Sequence, residues 1–373
     1  MARWGVALVI LALVATSCSD DDAGTDDSAV VDETTTTTAG AELSGGDDTT
    51  TTSTTTTSTT TTAAPLPATA STGCSASSVD GSTTDGPQTL EYGGEQRKYL
   101  VSIPEAPAGV AAAAPLIIDL PGFTATAEDQ AASTRLSTLG PERGYIVVTA
   151  EASLATVGTT TGPMWNIVDA FTGVREEDPE ADVDLSESDD VAFLDALADH
   201  IGNSMCVDTA RQYLTGMSVG AGMTTWATCQ EGTRFAASAP VAGMTQGLTC
   251  PAEVVPPFIT FHGDADSQVD YDGGNLSGFD LGIPAVEERA ADFAQRQGCS
   301  ATTTEETIGE DVIHITWDCP DGAAAEVYRI LGGEHIWPGS PQPGANQTVD
   351  ASELILDFFD THPTDAIKEG TGS

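Results

Sequence analysis

From Thr89 onward, short apolar runs alternate with stretches of helical periodicity, and few folds accept that alternation. The runs fall at residues 115–120, 145–149, 212–215, 236–241, 258–262 and 325–331. Between them Val191, Leu194, Leu197 and Ile201 share one helical face. So do Val286, Ala290, Phe293 and Ala294, and later Leu354, Ile355, Phe358 and Phe359. A continuously apolar strand is buried on both faces, and a parallel neighbour requires a crossover, usually helical. The expected domain is therefore α/β, a mostly parallel sheet with helices on both faces. A hairpin precedes it, because 89–92 and 97–103 flank Gly93-Gly94. In such sheets the chemistry sits beyond the C-terminal ends of the strands.

The N-terminal part reads differently. Arg3, an apolar run over 5–15 and the small residues before Cys18 describe a signal peptide over 1–18. The run is too short for a comfortable membrane span. Cys18 occupies the place of a lipidated cysteine, with Ala15 where a lipobox usually has Leu. Residues 19–73 are rich in Thr and Ser and have little apolar surface to bury. They read as a disordered tether, with the folded domain over 74–373. Without Cys18, six cysteines remain, an even number for a chain bound for an oxidising compartment. Of their 15 pairings, Cys299 with Cys319 is the preferred one, since they flank a hairpin-like stretch. No cysteine pair has metal-ligand spacing, and no metal is expected.

Twelve basic residues against 57 acidic ones, a formal charge of −45, exclude nucleic acid as a partner class. The same charge disfavours an anionic membrane surface, leaving lipidation at Cys18 as the route to a membrane. The expected location is extracellular, tethered at the cell surface.

The chemistry centres on Gly216-Met217-Ser218-Val219-Gly220, placed between a strand and a helix. A turn this tight crowds the backbone, which glycines two residues on either side relieve. Ser218 then projects above the sheet as a nucleophile. Its base must follow the acid in the chain, on a loop past a strand. His335, in Gly332-Gly333-Glu334-His335-Ile336-Trp337, meets that condition. His314 alternates within a strand, His362 ends the last helix, and His262 precedes the acid and reads as structural. Asp266, deepest in the turn after 258–263, is the chosen acid, with Asp264 its rival and Asp270 further along. The backbone N–H of Val219 and that of Phe123, or alternatively Thr124, are the expected oxyanion donors. Trp165 and Trp337 are candidate substrate-binding walls, with core packing the competing role. The acidic stretch 169–190 reads as a solvated loop or a rim over the site.

Several segments resemble the polyhydroxybutyrate depolymerase and feruloyl esterase family, secreted relatives of carbohydrate esterase family one. They are Asp208 through Ser218, Phe235 through Gly243, His262-Gly263-Asp264-Ala265-Asp266, Gly332 through Gly339, and Asp189 through Leu194. The resemblance runs from about Glu91 to about His362. It implies the α/β-hydrolase fold and assigns Ser218, Asp266 and His335 to the triad. Three positions depart from the pattern. Pro121 stands where His is usual, Ala221 where a second Gly is common, and Glu334 where a third Gly precedes the base. Glu334 would place a carboxylate beside the imidazole and raise its basicity.

The expected activity is a cofactor-free serine esterase acting on a carboxylic ester, of a polyester or of a feruloylated or acetylated polysaccharide. An acyltransferase with the same triad, or a non-catalytic surface protein that binds a polymer or glycan, are the alternative readings. Sequence does not decide the oligomeric state.

Overall fold

A computed structural model of the chain describes residues 69–75, 85–105, 113–167, 183–184, 188–246, 250–276 and 279–364. The leader, Cys18 and the tether up to residue 68 lie outside these residues, as does most of the acidic stretch 169–190.

The main sheet has ten strands: β1 (Gly86–Tyr92), β2 (Glu95–Ser102), β3 (Ala114–Leu120), β4 (Ile146–Ala150), β5 (Val207–Met217), β6 (Ala237–Val241), β7 (Phe258–Gly263), β8 (Thr303–Ile308), β9 (Val312–Trp317) and β10 (Ala325–Ile330). Their spatial order is β1-β2-β4-β3-β5-β6-β7-β10-β9-β8. The six from β4 to β10 in that order run parallel, with an antiparallel pair on each side. This is the α/β-hydrolase fold. The hairpin at Gly93-Gly94 forms as expected, both glycines taking positive φ (60° and 83°) that a side chain would disfavour.

Among the described residues six helices cover the sheet: α1 (Ala127–Thr134), α2 (Leu136–Glu142), α3 (Asp190–Ser204), α4 (Val219–Thr228), α5 (Val286–Arg296) and α6 (Ala351–Thr361). Alternation along β3 sends Leu116, Ile118 and Leu120 to one face, where they join Phe193, Leu194, Leu197 and Ile201 of α3. Ile117 points to the other face, with Ile355 and Phe359 of α6. Phe293 and Ala290 of α5 close a third cluster with Phe258 and Val327. The helical faces named from periodicity are thus the buried ones, except that Val191 and Leu354 are only partly covered.

The domain begins earlier than residue 74. Ser71 donates to the Val207 carbonyl (2.8 Å), Thr69 donates to Asp208, and a methyl group at Gly73 would collide with the Met205 carbonyl. Residues 69–73 therefore belong to the folded unit rather than the tether. Three disulfides join Cys74 to Cys206, Cys229 to Cys250, and Cys299 to Cys319. The last flanks the β8–β9 hairpin, as proposed. Among the described residues, no helix is long and apolar enough to cross a membrane.

Candidate active site

Ser218 sits between β5 and α4 with φ 57° and ψ −122°, a region that L residues rarely occupy. Its neighbours hold it there. A methyl group at Gly216 would reach 2.7 Å from the Gly220 and Leu120 carbonyls, and one at Gly220 would collide with Leu120. Both glycines are thus required by close packing, which is the expected elbow. Thr124 and Ala242 also take positive φ, just past β3 and β6. Strain therefore gathers beyond the C-terminal ends of the parallel strands.

Backbone hydrogen bonds link the neighbouring strand ends. Ser218 donates to Val241, Ala242 to Phe261, and Ala265 to Gly333. The last contact seats the acid loop on the base loop, and a side chain at Gly263 would break it by striking Gly333. Across this junction the Nδ1 of His335 lies 2.6 Å from Oδ2 of Asp266. That leaves Nε2 of His335 for proton exchange. Asp266 is buried, and its Oδ1 accepts the backbone N–H groups of Gln268 (2.8 Å) and Val269 (3.0 Å). Burial alone pushes this carboxyl upward. Hydrogen bonds from His262 and His335, and their charges, outweigh it and hold the carboxyl well below the usual carboxylate range.

The rival acid is occupied elsewhere. Asp264 pairs with Arg329 (3.0 Å) and accepts the Gly332 N–H (2.6 Å). His314 lies on β9 against Glu326 (2.8 Å), and His362 caps α6. Burial lowers the pKa of His362, so this ring favours the neutral form rather than serving as a helix-end cation.

Val219 opens α4, so its N–H has no partner within the helix. Of the two candidate donors on the other side, Thr124 gives its N–H to the Pro163 carbonyl (2.9 Å). Thr124 is therefore committed within its own loop, and of the two expected donors there Phe123 remains the candidate. A Cβ at Gly122 would lie 3.2 Å from that of Ser218, so this loop abuts the nucleophile.

The two tryptophans are not walls of an open site. Both are fully buried. Trp165 donates from Nε1 to the Pro121 carbonyl (2.9 Å), and Trp337 donates to Ser352 (3.0 Å). Aromatic bulk past a strand marked them, but each indole N–H found an internal partner, which favours core placement. Trp165 thereby anchors the loop after β3, a role that the sequence pattern did not disclose. The end of the acidic stretch is also internal. Asp190 forms a buried pair with Arg97 (2.8 Å) and accepts the Asn166 N–H (2.8 Å). Asp189 caps α3 by accepting from Ala192. Glu334 is exposed, so water screens its carboxylate from His335.

A second buried carboxyl stands at the end of β3. Asp119 accepts from Gln130 (2.7 Å) and Thr134 (2.9 Å). Burial pushes it up to about 6, against the pull of those bonds and of the Leu120 N–H. Among the described residues, no group of three or more His, Cys, Asp or Glu is arranged to hold a metal ion.

No protein-family model matches the chain. It is 26% identical over 247 residues to feruloyl esterase B of Piromyces equi, covering 64% of this chain and 42% of that protein. It is 26% identical over 272 residues to poly(3-hydroxyalkanoate) depolymerase C of Paucimonas lemoignei, covering 67% of this chain and 62% of the relative. The chain is thus similar both to a feruloyl esterase and to a poly(3-hydroxyalkanoate) depolymerase. It spans about two fifths to three fifths of the length of these curated relatives. The solved acetyl xylan esterase of Aspergillus awamori is similar at a TM-score of 0.48 and 13% identity, covering 70% of this chain and 93% of that one.

Proposed function

We propose that this chain is an exported serine esterase that hydrolyses carboxylic esters of a polyester or of a feruloylated or acetylated polysaccharide. The observation that carries the reading is the His335–Asp266 contact at 2.6 Å, set beside a serine held at φ 57°. In this reading Ser218 Oγ attacks the ester carbonyl and passes its proton to Nε2 of His335. Asp266, ionised and fixed by backbone N–H groups, stabilises the imidazolium. The N–H groups of Val219 and Phe123 face the developing oxyanion. Collapse of the tetrahedral species expels the alcohol, which takes the proton from His335. Water, activated by the same imidazole, then frees the acid from Ser218.

The substrate class follows from the relatives, one named for feruloyl esters and one for poly(3-hydroxyalkanoate). The three disulfides fit an oxidising compartment. Export by residues 1–18, lipidation at Cys18 and a Thr-rich tether ahead of Thr69 complete the proposed arrangement.

The test is hydrolysis of p-nitrophenyl butyrate by the parent and by Ser218→Ala, followed by polyhydroxybutyrate and feruloylated xylan as substrates. Turnover that disappears in the variant is the expected result. Equal turnover by both would overturn the assignment of Ser218.

A further inference from the structure

The Asp266 carboxylate has two histidine partners, and the esterase mechanism uses one of them. His262 ends β7, and its side chain is completely buried. Its Nε2 lies 2.8 Å from the Val269 carbonyl and 3.3 Å from Oδ2 of Asp266, the oxygen that His335 also contacts. A carbonyl oxygen brings no proton, so Nε2 must carry the hydrogen and share it between the two oxygens. Nδ1 then holds the lone pair. It is buried and has no hydrogen-bond partner among the described residues.

We propose that His262 is a positioning residue for the esterase reaction: a buried imidazole whose Nε2–H orients Asp266 for His335. The proposal rests on the esterase reading above. The Nε2–H holds the same carboxylate oxygen that His335 contacts, so His335 meets an acceptor fixed in place.

Tyr271 meets the His262 ring edge-on, at 5.8 Å between ring centres. The hydroxyl of Tyr271 is bound to Glu287, and Arg329 lies over the Tyr271 ring while pairing with Asp264. Asp266 is the one charged group in direct contact with His262 among the described residues.

The experiment compares His262→Phe and His262→Gln with the parent, as full chains, on p-nitrophenyl butyrate. Phe keeps the ring shape and removes the donor, whereas the Gln amide nitrogen reaches toward the place of Nε2. Loss of one bond to a charged acceptor predicts a fall in kcat of roughly tenfold to a hundredfold in the Phe variant, with KM nearly unchanged. A carboxylate short of one donor is more basic and holds the His335 proton harder. The acid limb of the kcat/KM profile therefore moves to higher pH in the Phe variant, and Gln restores both quantities. Parent-like kcat, or a fall in kcat with no movement of the acid limb, would overturn the proposal.

An NMR spectrum of the parent's imidazole nitrogens reads the same point without turnover. His262 is expected as the Nε2–H tautomer, with Nδ1 unprotonated. An Nδ1–H tautomer would overturn the proposal even if Phe fails to fold. Absence of Ser218-dependent turnover in the parent would instead count against the esterase reading, and the NMR result would stand apart from it.

Discussion

Of the buried carboxyls at the ends of parallel strands, Asp266 and Asp119 are pushed in opposite directions by their environments. At the end of β7, Asp266 is held well below the usual carboxylate range; at the end of β3, Asp119 is pushed up to about 6. Depth does not separate them, since both are buried. Their partners do. Asp266 has two imidazoles and two backbone N–H groups. Asp119 has an amide, a hydroxyl and one backbone N–H, none able to carry charge. A neutral cradle satisfies the geometry of a carboxylate without fully offsetting its lost hydration.

The largest expected effect tests the β7 end. Asp266→Asn keeps the shape but removes the charge and scrambles the His335 tautomer. A fall in kcat of about 10⁴-fold on p-nitrophenyl butyrate is expected, as for the equivalent change in other serine hydrolases. A loss below about tenfold would mean that charge at this position is dispensable, and the contrast with Asp119 would lose its functional meaning.

The β3 end is read through stability. Folding raises the pKa of Asp119 from 3.8 to about 6. Its stabilising contribution is therefore complete below about pH 4 and is lost as pH rises through 6. Asp266 has the reverse sign. Its contribution is present above the unfolded carboxylate value and is lost as pH falls toward its low folded value. Asp119→Asn removes the first slope only. Urea unfolding at pH 4 and pH 7 should show the variant gaining on the parent by up to about 3 kcal/mol across that interval. A difference independent of pH would show that Asp119 ionises alike in the folded and unfolded chain, and the contrast with Asp266 would fail.

The smallest effect concerns the loop that follows Asp119. Trp165→Phe removes the indole N–H from the Pro121 carbonyl while keeping most of the packing. One neutral hydrogen bond predicts a loss in kcat of about fivefold to tenfold, with KM unchanged. A rise in KM alone would instead return Trp165 to the role of substrate contact.

Much of this arrangement was legible from short stretches of chain. Strand–helix alternation gave the parallel sheet, and the spacing of Gly216, Ser218 and Gly220 located the elbow. The Cys299–Cys319 pair was accessible because only a hairpin separates its ends. What escaped depends on meetings between distant segments. Trp165 and Trp337 carried the right bulk in the right loops, but whether an indole faces inward is set by Pro121 and Ser352, far away in the chain. His262 lies only four residues before Asp266, yet its contact needs the turn that returns Asp266 and Val269 to the same ring. Asp119 resembled any residue of an apolar strand until Gln130 and Thr134 of α1 packed over it. Likewise Cys74 and Cys206 are 132 residues apart, and no local cue joins them.

That last bond has a mechanical consequence. Tension entering the domain from its N-terminal side first meets the short zipper of Thr69, Ala70 and Ser71 against the start of β5. If those bonds yield, the pull arrives at Cys74 and passes covalently to Cys206, at the foot of the strand whose far end carries Ser218. The stretch from 75 to 205, including β1 to β4, is shunted out of the load path. A domain pulled from that side would thus bear the strain along β5, a central strand gripped on both sides by β3 and β6, and would not unravel from its edge.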